Sequence, residues 1–318
     1  MVQRNEGLRI YSFLPSATEM VFALGLGDKL CGVTSECDFP PEARGRPVVV
    51  ESLLNPSTMA QGQIDGQVVE SLSHGHGLYS INKALLSLNR PDVVITQDLC
   101  EVCSVSLRET LKTISDLSSD CKVISLKPRG LGGVLEDIIT VGKACGGEAE
   151  ADRLVGTLRS RIERVRTDVS GLPVPRVFCA EWYDPVFASG HWVPEMVQLA
   201  GGVDGLGDAG KESRKIEWGS VVDYDPEVLV LIPCGFGVER AVADVGLLSK
   251  LRDWRDITAV KDGMVFAADG SSYFSRPGPR LVDGLEMLAA MLHPEHIVWS
   301  AASNSALRLP VEALRPRT

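Results

Sequence analysis

The stretch from Leu131 to Gly171 constrains the fold more than any other. From Glu148 onward, Ala151, Leu154, Val155, Leu158, Ile162, Val165 and Val169 recur at steps of three and four, which is one face of a helix. The other face carries Asp152, Arg153, Arg159, Arg161, Glu163, Arg164 and Arg166. At 1.5 Å per residue, a helix from Glu148 to Val169 reaches roughly 33 Å, about the diameter of a small domain. A shorter helix with Val134, Leu135, Ile138, Ile139 and Val141 precedes it and stops at Gly146-Gly147. Gly171, Pro173 and Pro175 end the long one. An ordinary surface helix shows the same pattern, so the flanking halves decide whether this one is a bridge.

Those halves share a grammar. In the first, strand patterns at Leu8 to Leu14, Leu30 to Thr34, Pro47 to Val50, Pro91 to Thr96 and Lys122 to Leu126 alternate with helical segments. Ser16 and Glu19 read as a capping box for the first helix. In the second, strands at Arg176 to Ala180, Val228 to Ile232 and Met264 to Ala267 alternate with helices at Pro194 to Ala200 and Val238 to Leu251, and with one opening at Pro279. Glu19-Met20-Val21 with Gly25 and Asp28 recurs as Glu195-Met196-Val197 with Gly201 and Asp204; Pro91-Asp92-Val93 recurs as Pro226-Glu227-Val228. Two matches in the same order around a central helix predict two related α/β lobes with mostly parallel sheets. The expected division is 1–130, an N-terminal lobe; 131–171, the bridging helices; 172–295, a C-terminal lobe; and 296–318, an appended, partly mobile tail.

Charge and cysteine usage narrow the function. A net charge of −10 over 318 residues disfavours nucleic acid, whose phosphates need a basic field. No run approaches 18 consecutive apolar residues, so no membrane insertion is expected. The opening residues show no apolar run followed by a small-residue cleavage site, so a cytoplasmic location is expected. The eight cysteines then read as reduced thiols rather than a disulfide framework.

Ligands of open parallel sheets sit beyond the carboxyl ends of the strands. The loops there are Pro15–Glu19, Glu36–Pro40, Gln97–Cys103, Glu181–Glu195, Pro233–Gly237 and Asp269–Arg280, and facing lobes would make them line one cleft. They are rich in rings: Phe39, Trp182, Tyr183, Phe187, Trp192, Phe236, Tyr273 and Phe274 offer stiff faces to a flat apolar ligand. Trp182, Trp192 and Phe274, beside Gly and Pro, are the foremost contacts. Arg276 and Arg280 flank a helix start suited to an anionic group. The loops are also rich in thiols. Cys37, Cys100, Cys103 and Cys234 all follow strands, and together, with His191, they would form a soft metal site. Inert cysteines in the cleft wall are the competing reading. His74-x-His76 in its Gly-rich loop reads as solvated. Known enzyme signatures fail: Gly205 to Lys211 nearly spells a phosphate loop, but Glu212 replaces the required hydroxyl, and there is no Gly-x-Ser-x-Gly elbow.

Taken together, Leu14-Pro15-Ser16-Ala17-Thr18-Glu19, Ala23-Leu24-Gly25, Gly32-Val33-Thr34, Arg90-Pro91-Asp92-Val93-Val94 and Ala200-Gly201-Gly202 resemble the class III substrate-binding proteins of ABC importers, in the cobalamin and iron-siderophore branch. Gln97-Asp98-Leu99-Cys100-Glu101-Val102-Cys103, Gly190-His191-Trp192-Val193-Pro194-Glu195 and Phe274-Ser275-Arg276-Pro277-Gly278-Pro279-Arg280 look like hallmarks of its cobalamin-binding subgroup. The resemblance spans about residues 8 to 295. It implies two Rossmann-like lobes joined by one long helix. It also implies capture of a flat metal chelate without catalysis, with an ABC permease as the partner.

The function expected is therefore non-catalytic binding of cobalamin or a related corrinoid. The expected contacts are Pro15, Ser16, Phe39, Gln97, Trp182, His191, Trp192, Phe236, Tyr273, Phe274 and Arg276. Two alternatives stay open: a thiol-based metal or redox protein using Cys37, Cys100, Cys103 and Cys234 with a thiolate-bound metal, and an exported component of an ABC importer.

Overall fold

A computed structural model of the chain describes residues 7–99, 105–117, 120–299, 305–310 and 314. The chain divides into two compact units: unit 1 comprises Met1–Pro128 and Gly133–Thr157, and unit 2 comprises Arg129–Gly132 and Leu158–Thr318.

Unit 1 is built on six strands: β1 (Ile10–Ser12), β2 (Leu30–Thr34), β3 (Val48–Ser52), β4 (Tyr79–Ile81), β5 (Val93–Gln97) and β6 (Lys122–Leu126), in the order β4-β3-β2-β1-β5-β6. All neighbours are parallel except β3 and β4. β1 and β5 are buried along their whole length, as continuous apolar runs in a sheet covered on both faces must be. The order of connection reverses between them, so their carboxyl ends flank the switch point where such sheets bind ligands. Arg9 pins the two together at the other end, donating from Nε and Nη2 to both carboxylate oxygens of Asp92 at 2.9 and 2.7 Å. Gly32 is required where β2 passes under Tyr11, because a Cβ there would lie 2.6 Å from the ring and 2.8 Å from Val49. Tyr11, Phe13, Val49, Val50, Leu86, Val94 and Ile114 form the core on that side.

Unit 2 is built on β7 (Arg176–Tyr183), β8 (Val186–Ala188), β9 (Val203–Asp204), β10 (Arg214–Lys215), β11 (Val228–Leu231), β12 (Val265–Ala268) and β13 (Ala306–Arg308), in the order β10-β8-β7-β11-β12-β13, with β9 also paired to β7. β7, β11 and β12 form the parallel centre, while β8, β10 and β13 run antiparallel to their neighbours. Phe178, Leu229, Leu231, Val265 and Trp254 fill the core.

The short and long central helices run over Leu131–Cys145 and Glu148–Asp168, separated by Gly146 in the left-handed region (φ 77°). The boundary between the units falls within the long helix. Its buried residues are Ala151, Val155, Leu158 and Val165, from the apolar face the spacing predicts. One member of the polar face is half-buried. Arg161 bonds Glu286 at 2.9 and 2.7 Å and Asp283 at 2.5 Å, joining the helix to Leu281–Leu292.

Four local expectations need correction. The first helix, Pro15–Ala23, has no side-chain cap; Ser16 Oγ is buried without a hydrogen-bond partner, so the capping box does not form. The helical piece expected from sequence over Ile81 to Leu88 begins only at Lys83, because Tyr79–Ile81 pairs as a strand with β3. The helix expected over Val238 to Leu251 breaks at Asp244 into Val238–Ala243 and Val245–Ser249. The described part of the tail is not loose: β13 pairs with β12, Leu309 and Leu314 are buried, and the indole of Trp254 donates to the Leu314 carbonyl at 2.9 Å.

Candidate ligand-binding site

In unit 2 the loops beyond the carboxyl ends of the strands are tied to one another. β7 ends in Glu181-Trp182-Tyr183 and turns into β8. The Trp182 indole donates to the Asp184 carbonyl at 3.0 Å, which fixes the plane of the ring. It stacks on Phe236 of the loop after β11, with centroids 5.5 Å apart and planes at 19°. The Arg240 guanidinium lies over the same Phe236 ring at 4.7 Å. The backbone N–H of Cys234 donates to the Glu181 carbonyl at 2.9 Å, and that of Ser271 donates to the Phe236 carbonyl at 3.0 Å. The loop after β12 therefore joins the same set. Its approach depends on Gly270, where a Cβ would lie 2.5 Å from the Pro233 carbonyl oxygen.

Glu181 is the clasp on the other side. One carboxylate oxygen accepts from the Gly190 backbone N–H at 3.4 Å, and the other takes the Ser213 hydroxyl in a short hydrogen bond. Burial pushes this carboxyl up to about 7. Gly190 is wedged against the same loop: a Cβ would lie 2.4 Å from the Ser213 nitrogen. His191 follows in the left-handed region (φ 52°), its N–H donating to the Lys211 carbonyl at 2.5 Å and its carbonyl accepting from Gly210 at 2.7 Å. Its ring is half-buried and stacks on Trp192 at 5.3 Å. Burial lowers the imidazole pKa, so the ring is neutral at pH 7.

Trp192 and Phe274 do not offer their faces as expected. They are 3% and 2% exposed, and the Trp192 indole donates to the Phe274 carbonyl at 2.6 Å, so both belong to the layer beneath the loops. Phe236, 8% exposed, lies against both Trp182 and Arg240. Trp182, His191, Tyr273 and Arg276 are the expected contacts of unit 2 that remain half-exposed. Tyr273 meets Trp299 edge-on at 6.5 Å and lies under Arg280 at 5.6 Å.

In unit 1, Pro15 is half-exposed and Phe39 is 43% exposed, whereas Ser16 and Gln97 are buried at the ends of β1 and β5. Cys37 is buried, with its sulfur 3.1 Å from Thr18 Oγ1 and 3.3 Å from Thr34 Oγ1. Cys234 is an exposed residue of unit 2, and Cys100 and Cys103 lie outside the described residues. Among the described residues no three His, Cys, Asp or Glu side chains group to hold a metal, so the expected thiolate site and thiol-rich cleft find no support. His74 and His76 are exposed, as expected. The near-phosphate loop is closed to an anion in its first part, because the N–H groups of Leu206 and Gly207 donate to Asp204.

The model of the periplasmic binding protein family matches residues 12–271. The chain belongs to that family. An uncharacterized ABC transporter substrate-binding lipoprotein of Bacillus subtilis strain 168 is 24% identical over 298 residues, covering 92% of this chain and 82% of the relative. A vitamin B12-binding protein of Vibrio cholerae serotype O1 is 25% identical over 294 residues, covering 89% and 88%. Among solved structures, the periplasmic heme-binding protein RhuT of Roseiflexus sp. RS-1, in apo form, superposes with a TM-score of 0.68 at 21% identity, covering 91% and 98%. These relatives are named for binding rather than for a reaction. They also overturn the cytoplasmic location expected above: one is a lipoprotein and another periplasmic. No helix among the described residues is long and apolar enough to cross a membrane.

Proposed function

We propose that the chain captures a corrinoid, cobalamin or a close relative, without catalysing a reaction, and hands it to an ABC permease. The observation that carries this reading is the platform of unit 2. Trp182, backed by Phe236 and Arg240, presents a fixed aromatic plane on loops cross-tied through Glu181, Cys234 and Ser271. A platform rigid before binding loses little entropy when a flat ligand settles on it. The half-exposed Arg276 suits the amide and phosphate oxygens at a corrinoid's rim. Support for a corrinoid over other flat chelates comes from the Vibrio cholerae relative, which matches nearly end to end.

Equilibrium titration of the whole chain with cyanocobalamin tests the reading, followed by corrin absorbance and by calorimetry. Saturable one-to-one binding is expected, weakened about tenfold by Trp182→Ala through lost stacking. Hemin serves as the comparison ligand. Saturation by hemin with no response to any corrinoid overturns the reading, as does failure of both.

A further inference from the structure

Resting on the corrinoid reading above, we propose that His191 is a metal donor: its imidazole takes an open axial position on the metal of the bound chelate, selecting forms whose axial ligand exchanges.

The backbone points to the side chain. A residue other than glycine at φ 52° carries a steric cost, and the surroundings hold it there by hydrogen bonds on both sides of the residue, to Lys211 and from Gly210. Glycine would occupy this position without that cost. Gly190, with no room for a Cβ, and the Glu181 clasp fix the approach from the amino-terminal side.

The ring is positioned but not used. It stacks on Trp192, itself anchored to Phe274, and among the described residues neither ring nitrogen has a hydrogen-bond partner. His293 provides the contrast: a buried histidine whose Nε2 lies 3.1 Å from the Ala200 carbonyl, satisfied as core histidines are. The lowered pKa of His191 leaves a nitrogen lone pair available at neutral pH.

A single donor is too little for a bare ion, and the described residues assemble no set of three around it. It suffices for a metal whose equatorial positions a macrocycle already fills, and imidazole suits cobalt or iron. The step is a ligand substitution. The metal–water bond breaks, a metal–nitrogen bond forms, the departing water carries off its own electron pair, and the metal keeps its oxidation state.

The test compares aquocobalamin, whose upper ligand exchanges, with cyanocobalamin, whose cyanide does not. Wild-type protein should shift the visible spectrum of aquocobalamin and leave that of cyanocobalamin almost unchanged. His191→Ala should lose the shift and weaken aquocobalamin binding about tenfold more than it weakens cyanocobalamin binding, and an unchanged far-ultraviolet circular dichroism spectrum shows that the variant is folded. His191→Gly keeps the backbone conformation available, and free imidazole should restore the shift in it. Cyanocobalamin binding without a wild-type shift for aquocobalamin overturns this proposal alone, as does a shift that survives in His191→Ala. Failure to bind either corrinoid overturns the functional reading and this proposal with it.

Discussion

The indole N–H of Trp192 donates to the carbonyl oxygen of Phe274 at 2.6 Å, and both side chains are buried. This bond joins the loop that carries His191 to the loop that carries Tyr273 and Arg276. Trp192→Phe removes the donor and leaves a buried carbonyl unpaired, together with a small void. A loss of about 2 kcal/mol is expected from urea unfolding. An unchanged midpoint would mean that the two loops are held together by something else.

Asp137 makes stability depend on pH. It lies in the helix Leu131–Cys145, its Oδ2 is buried without a partner, and burial and then Glu136 push its carboxyl up to about 7. The folded chain therefore holds this proton more tightly than the unfolded chain, where the value is about 3.9. The stabilising contribution is complete below about pH 4 and is lost as pH rises through 7. Asp137→Asn is expected to be the more stable protein at pH 8 by about 1–2 kcal/mol, a discounted figure because the side chain is only partly buried. Melting curves between pH 5 and pH 8 measure this; a gap that does not narrow toward pH 5 would count against it.

Removal of residues 300–318 strips β12 of its antiparallel partner, uncovers the side chains packed by Leu309 and Leu314, and leaves the Trp254 indole without its acceptor. The expected cost is about 3–5 kcal/mol, from lost apolar burial and a stranded donor. Chemical denaturation of the shortened chain reads it directly. A midpoint equal to that of the full chain would restore the view of this segment as an appendage.

The elements legible from sequence are those long enough for an apolar run or a helical period to register. Leu30–Thr34 and Lys122–Leu126 occur with the expected bounds, and the long helix differs only at its last residue. β8, β9 and β10 have two or three residues each, too few for any period to register. The packing of the tail is not legible in the sequence because Pro310 and the charged residues around it mask the spacing of Leu309 and Leu314. In unit 2, ring composition picks out loops that hydrogen bonds tie to one another. It could not separate Trp182, half-exposed, from Trp192, buried: that depends on a hydrogen bond to a residue far along the chain. Glu181 escaped notice for the same reason, since its partners Gly190 and Ser213 come from other turns of the fold.

β7 is the longest strand of unit 2, and along its length it is paired on one flank or the other. β11 occupies one side from Val177 to Ala180; on the other, β9 takes Arg176 and Val177, and β8 takes over from Ala180 to Tyr183. The strands left at the margins of that sheet, β10 and β13, are two and three residues long. Among the described residues a neighbouring molecule therefore meets only stubs where it would need a template, and the long central strand is withheld from strand-to-strand polymerisation.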